Sequence, residues 1–430
     1  MAVDVPRCTA RFLVSLPGDQ PSRVLTEQPG SLAGVILLIF RLLALMRFSS
    51  VFPRGTRLGR LCLNLALVFG LVGCEGDFRP KADGPEGEIT VVMDSSYWTG
   101  EAGEALRENV APWVETLPVS ERYFQLRHLE LSDERTFERV KDLKNVVIAS
   151  PLSDSTNETS FLRQRLSDKA EQAVLDGQTA VISKPNLWRR SQRIYYVPAA
   201  TPEALAQTFR TQGEEVQQTF KEVTLQRMKQ NMYEEDRRSA IEDTLMNRHG
   251  FAVNVQQGFQ IAVDTTIASE GFVWLRRILA KTRREFFVYY AEDVDPDQIT
   301  PEWIFAKRDS LTQRHLRGNV QGFVQIDYRR SLETEQLTFL DRYGYEARGL
   351  WYIVTPVEGG EGVRPVGGGG PFVTYTFYDR STDRVYMLDG SVYAPDYDKL
   401  DLLRQMEVMA RTFRTAEEAR SAEDRPVASE

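Results

Sequence analysis

The order of apolar segments predicts an α+β protein, two mixed α/β lobes joined by a long helical segment. Three observations carry that prediction. Between residues 88 and 200 short strand-like runs alternate with helical stretches, residues 201–250 read as a long polar helix, and residues 251–413 are dominated by strand patterns. A chain of 430 residues is long enough for two or three domains with a buried core. Hydrophobic residues at 42% and charged residues at 27% exclude a polytopic membrane protein and a wholly disordered chain.

In the first lobe the pattern predicts strands at 89–93, 123–131, 146–149, 179–183 and 194–197, with helices at 101–114, 136–143 and 160–175. The joining segment opens with Thr201 as N-cap and Pro202 at the first helical position, and Gly250 closes it after Arg248 and His249. Gly213 is the place where it would bend or split. Val216, Phe220, Val223, Met228 and Met232 form a partial apolar stripe, which reads as core packing because the opposite face carries charges of both signs. The second lobe has strand patterns at 259–263, 272–275, 286–290 and 323–327, a helix from the Thr300-Pro301-Glu302 cap to His315, and a meander at 350–354, 372–378 and 384–388. A helix over 399–413 closes it, with Leu402, Leu403, Met406, Met409 and Ala410 on one side. Residues 414–430 are small, polar and charged, so a disordered tail is expected there.

The start of the chain carries an address. Arg54, Arg57 and Arg60 precede the apolar run Leu61 to Gly73, which ends in Leu71-Val72-Gly73-Cys74. A positive region, a short apolar stretch and small residues before a cleavage point make residues 46–73 a secretion signal, whose apolar run Leu61 to Gly73 is too short for a transmembrane helix. The ending resembles the lipobox of bacterial lipoproteins. That resemblance implies that Cys74 becomes the first residue, acylated on its thiol and its amino group; the plainer alternative is a buried cysteine after an apolar helix. Residues 1–45 precede a complete signal and hold a second apolar stretch interrupted by Arg41. They read as a start placed too far upstream, with Met46 the better one and nothing ahead of it adding to the fold, or else as a membrane anchor. Residues 74–87 are a flexible tether.

Removing the 8 Arg and 3 acidic residues ahead of Cys74 takes the formal charge from −8 to −13. With no basic stripe, no nucleic-acid partner is expected. Cys8 and Cys62 leave with the same segment, so disulfides, cysteine-held metals and cysteine nucleophiles are excluded together. Asp293, Asp295 and Asp297 imitate the start of a calcium loop, but Gln298 stands where the turn needs glycine and Ile304 where a bidentate Glu belongs. The glycines between 359 and 370 precede a strand rather than a helix and lack the Lys of a phosphate cradle, so they read as a hairpin. His128, His249 and His315 have no nucleophile motif beside them, and Gly390-Ser391 lacks the nucleophile-elbow frame. Neither a metal nor a cofactor is expected.

The runs Tyr97 to Arg107 and Gly271 to Arg276, the helix at Arg308-Asp309-Ser310, the turn Gly369 to Val373 and Val392-Tyr393-Ala394-Pro395 together resemble an uncharacterised family of lipoproteins from Bacteroidota-type bacteria, a domain of unknown function. The resemblance spans most of 73–413; the upstream extension and the insertion at 358–366 depart from it. It implies a place in the cell envelope, lipid-anchored in the outer membrane, and no activity. The one candidate ligand site is the turn from the first strand into a helix, where Asp94 offers a carboxylate, Trp98 a stacking surface, and Gly100 and Gly103 close backbone approach. The structural alternative is a Trp plugging the core edge. The function expected is a binding or structural role, with the bilayer as partner through Cys74 and an envelope protein or glycan as a further one. The alternative is an envelope hydrolase acting on glycan or peptide through two carboxylates.

Overall fold

The computed structural model describes residues 77–423 apart from 235–236, 293, 317–321 and 360, together with the backbone of two short strands ahead of them. The signal over 46–73, Cys74, the first residues of the tether and the end of the tail lie outside the described residues. The chain is α+β.

In chain order the first half contains β1 (Phe12–Ser15), β2 (Arg23–Leu25), β3 (Glu88–Val92), α1 (Ser95–Thr99), α2 (Glu101–Asn109), β4 (Trp113–Val114), β5 (Glu121–Arg122), β6 (Gln125–Leu129), α3 (Glu134–Asp142), β7 (Asn145–Pro151), α4 (Asn157–Arg163), α5 (Asp168–Leu175), β8 (Thr179–Pro185), β9 (Arg193–Ala199) and α6 (Pro202–Tyr233). Seven strands form one sheet in the order β2-β1-β8-β9-β7-β3-β6. β3 is parallel to both β6 and β7, so the chain leaves it first to one side and then to the other. Both faces are covered, and β7 is accordingly buried along its whole length. Ile89, Val91 and Val147 face α2 and α6; Val92, Ile148 and Tyr196 face α3, α4 and α5.

Four features differ from the sequence reading. The helix expected over 160–175 is two helices, because Ser167 caps α5 by accepting from the Ala170 amide. Gly213 neither bends nor splits α6: a Cβ there would lie 2.6 Å from that of Asn109, so glycine lets α6 lie close on α2. The long helix ends at Tyr233 instead, and α7 (Ser239–His249) begins anew. Part of the 1–45 segment, expected to add nothing to the fold, does add to it, since β1 pairs antiparallel with β8 and satisfies backbone groups at that sheet edge.

The second half continues with β10 (Phe251–Ala252), β11 (Gln260–Ile267), β12 (Glu270–Ile278), β13 (Arg283–Ala291), α8 (Pro301–His315), β14 (Phe323–Ile326), β15 (Glu333–Phe339), β16 (Arg342–Pro356), β17 (Val363–Asp379), β18 (Arg384–Tyr393), α9 (Leu400–Ala410), β19 (Arg414–Thr415) and α10 (Ala416–Glu423). An antiparallel sheet runs β11-β12-β13-β18-β17-β16-β14, with β15 also paired to β16. α7 and α9 pack on one face around Phe286, Tyr375 and Leu388; α8 packs on the other around Phe287, Trp351 and Met387. The glycine stretch is the turn and first part of the β16–β17 hairpin. The tail expected to be disordered from 414 onward forms β19 and α10. Thr415 and Glu418 make a reciprocal cap, the Thr415 amide donating to Glu418 Oε2 at 2.8 Å and the Glu418 amide to Thr415 Oγ1 at 3.4 Å.

The halves meet at one hairpin and two helices. Glu121 of β5 accepts from the Lys399 and Leu400 amides at the start of α9, at 2.8 and 3.0 Å. Arg404 of α9 donates to the Tyr123 carbonyl. Leu225 and Met228 of α6 pack on Val408 of α9.

Candidate functional site

The strand-to-helix turn after β3 lies at the carboxyl ends of β3 and β7, where the chain's course reverses and ligands of open sheets are commonly held. Its residues are engaged locally. Asp94 caps α1 by accepting from the Ser96 amide at 2.8 Å. Trp98 is half-buried, stacked on His128 at 4.9 Å between centroids, with the Arg107 guanidinium 4.7 Å from the ring centre. Gly100 ends α1 and starts α2. Tyr97 closes the crevice by donating its hydroxyl to Asp154 Oδ2 across it at 2.6 Å. At Gly103 a Cβ would come within 1.9 Å of the Trp98 carbonyl oxygen, a rigid neighbour. Gly103→Ala is therefore expected to lower stability by about 1–3 kcal/mol, the range for overpacking; an unchanged urea midpoint would show that the helix junction adjusts freely. Trp98 stands one helical turn after Asp94, its amide donating to the Asp94 carbonyl at 3.0 Å, and the two glycines serve helix geometry.

A different set of side chains gathers where the two halves of the chain meet, around a pocket of about 260 Å³. The β4–β5 hairpin supplies Trp113 and, just after it, Tyr123; α6 supplies Lys221; β15 and β16 supply Glu333, Glu335, Glu346 and Arg348. Register explains the acidic wall. Glu333 pairs with Arg348 and Glu335 with Glu346, so all four project from one face. Behind them Arg348 bridges two carboxylates, donating to Glu346 through Nε and to Glu407 Oε1 through Nη2 at 2.8 Å. Glu346, Arg348 and Glu407 are 6%, 7% and 0% exposed. Glu407 Oε2 and the Tyr123 hydroxyl are buried without a hydrogen-bond partner among the described residues. Orphaned polar atoms of this kind are costly in a closed core.

The electrostatics divide the acids. Burial alone would raise the Glu346 carboxyl, but Arg348 and Lys221 outweigh it and hold it at about 2. Partial burial raises the Glu333 carboxyl, helped by Glu115 and Glu346 and opposed by Arg348. Burial works against the Lys221 charge, yet Tyr123, Glu346 and Glu407 keep its ammonium above the usual range. Among the described residues no group of three or more His, Cys, Asp or Glu could hold a metal ion. His249 is bonded to Asp264 and Tyr290, and His315 stacks on Phe272. No described helix is long and apolar enough to cross a membrane.

Sequence reasoning missed this pocket. Its only local signal was Glu346 and Arg348 two apart in an otherwise apolar stretch, a polar stripe in a strand buried on both faces.

Residues 82–233 match a family described as Domain of unknown function (DUF8532), and residues 238–412 one described as Domain of unknown function (DUF4837). The two matches support an uncharacterised domain family. They divide between α6 and α7, assigning α6 to the first half, with whose core it packs. No curated protein matches the chain.

Proposed function

We propose that the chain is an exported envelope protein, anchored to the outer membrane through acylated Cys74, whose inter-lobe pocket binds a small amine-bearing ligand. The observation that carries the binding role is the pocket wall itself. Arg348 is held by two buried carboxylates and Lys221 lies within their field, whereas Glu333 and Glu335 line the pocket without a side-chain hydrogen bond among the described residues. Trp113, 56% exposed with Arg122 over its ring, adds an aromatic surface at the mouth. The volume equals that of about nine waters, the scale of an amino acid or amino sugar. The lipobox-like Leu71 to Cys74 run and the basic region before it support the anchor.

Thermal-shift measurements with amino acids, amino sugars and short diamines, set against uncharged analogues, test the pocket. An amine should raise Tm, and Glu333→Gln with Glu335→Gln should abolish the rise; a rise that survives the double variant, or none with any amine, refutes the reading. Fatty-acid labelling tests the anchor: Cys74→Ser should eliminate label and detergent partition, and an unlabelled, uncleaved native chain rules the anchor out.

The hydrolase alternative is favoured by one observation, the opposite displacement of Glu333 and Glu346, since acid–base pairs are built that way. The two are diagonal neighbours on paired strands, so their side chains share one face. Binding is preferred because Glu346 is buried and engaged by Arg348, which leaves it a poor base or nucleophile.

A further inference from the structure

A second, larger groove lies at the far ends of the strands, where the β15–β16 turn, the β17–β18 turn, the segment before α8 and the helix α10 meet around a cavity of about 980 Å³. Tyr343 and Tyr345 stand two residues apart on one face of β16, with Tyr378 beside them at the end of β17. Tyr343 is 64% exposed, with the Tyr345 ring edge-on to it at 6.3 Å between centroids. We propose that this groove is a docking site for an extended segment rich in lysine and arginine, on a partner polypeptide.

Charge complementarity argues for that occupant. Arg342 forms part of the wall, and its charge is already met by Asp379 Oδ1 at 2.6 Å and Glu418 Oε1 at 2.8 Å. What remains for a ligand is Asp297, Asp341 and Glu417 against Arg380; none of these four side chains has a hydrogen bond or ion pair within the described residues. Three open carboxylates and one guanidinium leave the groove negative, and exposed tyrosine faces are where ammonium and guanidinium groups settle. A groove of this volume, lined on several sides, suits a peptide segment with basic side chains better than a compact ion. The groove shares no lining residue with the inter-lobe pocket, although both draw on β16.

Fluorescence anisotropy with labelled hexalysine and hexaarginine, and hexaglutamine as control, tests this at about 0.15 M salt, where weak surface attraction is screened. Because the whole protein is acidic, the deciding comparison is between two triple variants. Asp297→Asn, Asp341→Asn and Glu417→Gln together should weaken hexalysine at least tenfold, whereas Glu104→Gln, Glu108→Gln and Glu134→Gln, which remove the same charge from exposed sites on α2 and α3, should leave it unchanged. Tyr343→Ala, which changes no charge, should weaken it about threefold. Equal loss in both triple variants, an unaffected Tyr343→Ala, or tighter binding of neutral oligosaccharides than of the basic peptides would each overturn the proposal.

Discussion

Replacing Arg308 by methionine is expected to lower the free energy of unfolding by about 3–5 kcal/mol, because it strands a carboxylate in the core. Arg308 is 0% exposed and Asp389 1%. The guanidinium grips both carboxylate oxygens, at 2.6 and 3.3 Å, with Thr374 donating to the same group and the Phe372 ring 3.7 Å away. α8 contributes the arginine and β18 the aspartate, so this pair fixes the helix on its sheet. The second half of the test separates pairing from packing. Arg308→Met combined with Asp389→Leu should recover most of the loss, since an apolar pair of similar volume removes the stranded charge. Urea unfolding at neutral pH reads both values, and a single variant within 1 kcal/mol of the parent would show that water reaches Asp389.

Arg348→Met should have an effect of the same size, about 3–5 kcal/mol at neutral pH, for it leaves Glu346 and Glu407 without their bridge and with Lys221 and Arg411 as the remaining cations. Its pH dependence sets it apart. In the native protein Glu346 ionises at about 2 instead of its ordinary 4.5, so its contribution is fully present above about pH 4.5 and is lost as pH falls toward 2. Without Arg348 the burial that raises this carboxyl meets less opposition, and protonation then relieves the folded state. The stability gap between native protein and variant should therefore narrow as pH falls from 7 to 3. A gap that stays constant would mean that Glu346 does not titrate with the bridge.

The layers of the fold were legible because most elements announce themselves locally. Thr201-Pro202 and Thr300-Pro301 mark helix starts that the structure reproduces, each threonine accepting from the amide three residues on. β15 was not legible, because Glu333, Glu335 and Gln336 break the apolar alternation of a core strand; this strand lies at a sheet edge with its outer positions in water. The Thr415 and Glu418 cap was written in the sequence, yet the polar composition around it masked the signal. The pocket was beyond reach for a different reason. Tyr123, Lys221, Glu346 and Glu407 come from four separate segments, and only the meeting of α6, α9 and two sheets makes neighbours of them.

The carboxylate of Glu121 at the head of α9 joins the two halves. The first amides of a helix need an acceptor, and here that acceptor belongs to the other half of the chain. A fragment cut between α6 and α7, where the two family matches part, would begin its closing helix on bare amides and would expose Val408 where Leu225 and Met228 now lie. Modular in its sequence matches, the molecule is not modular in its contacts: each half supplies hydrogen-bond acceptors or apolar cover that the other uses.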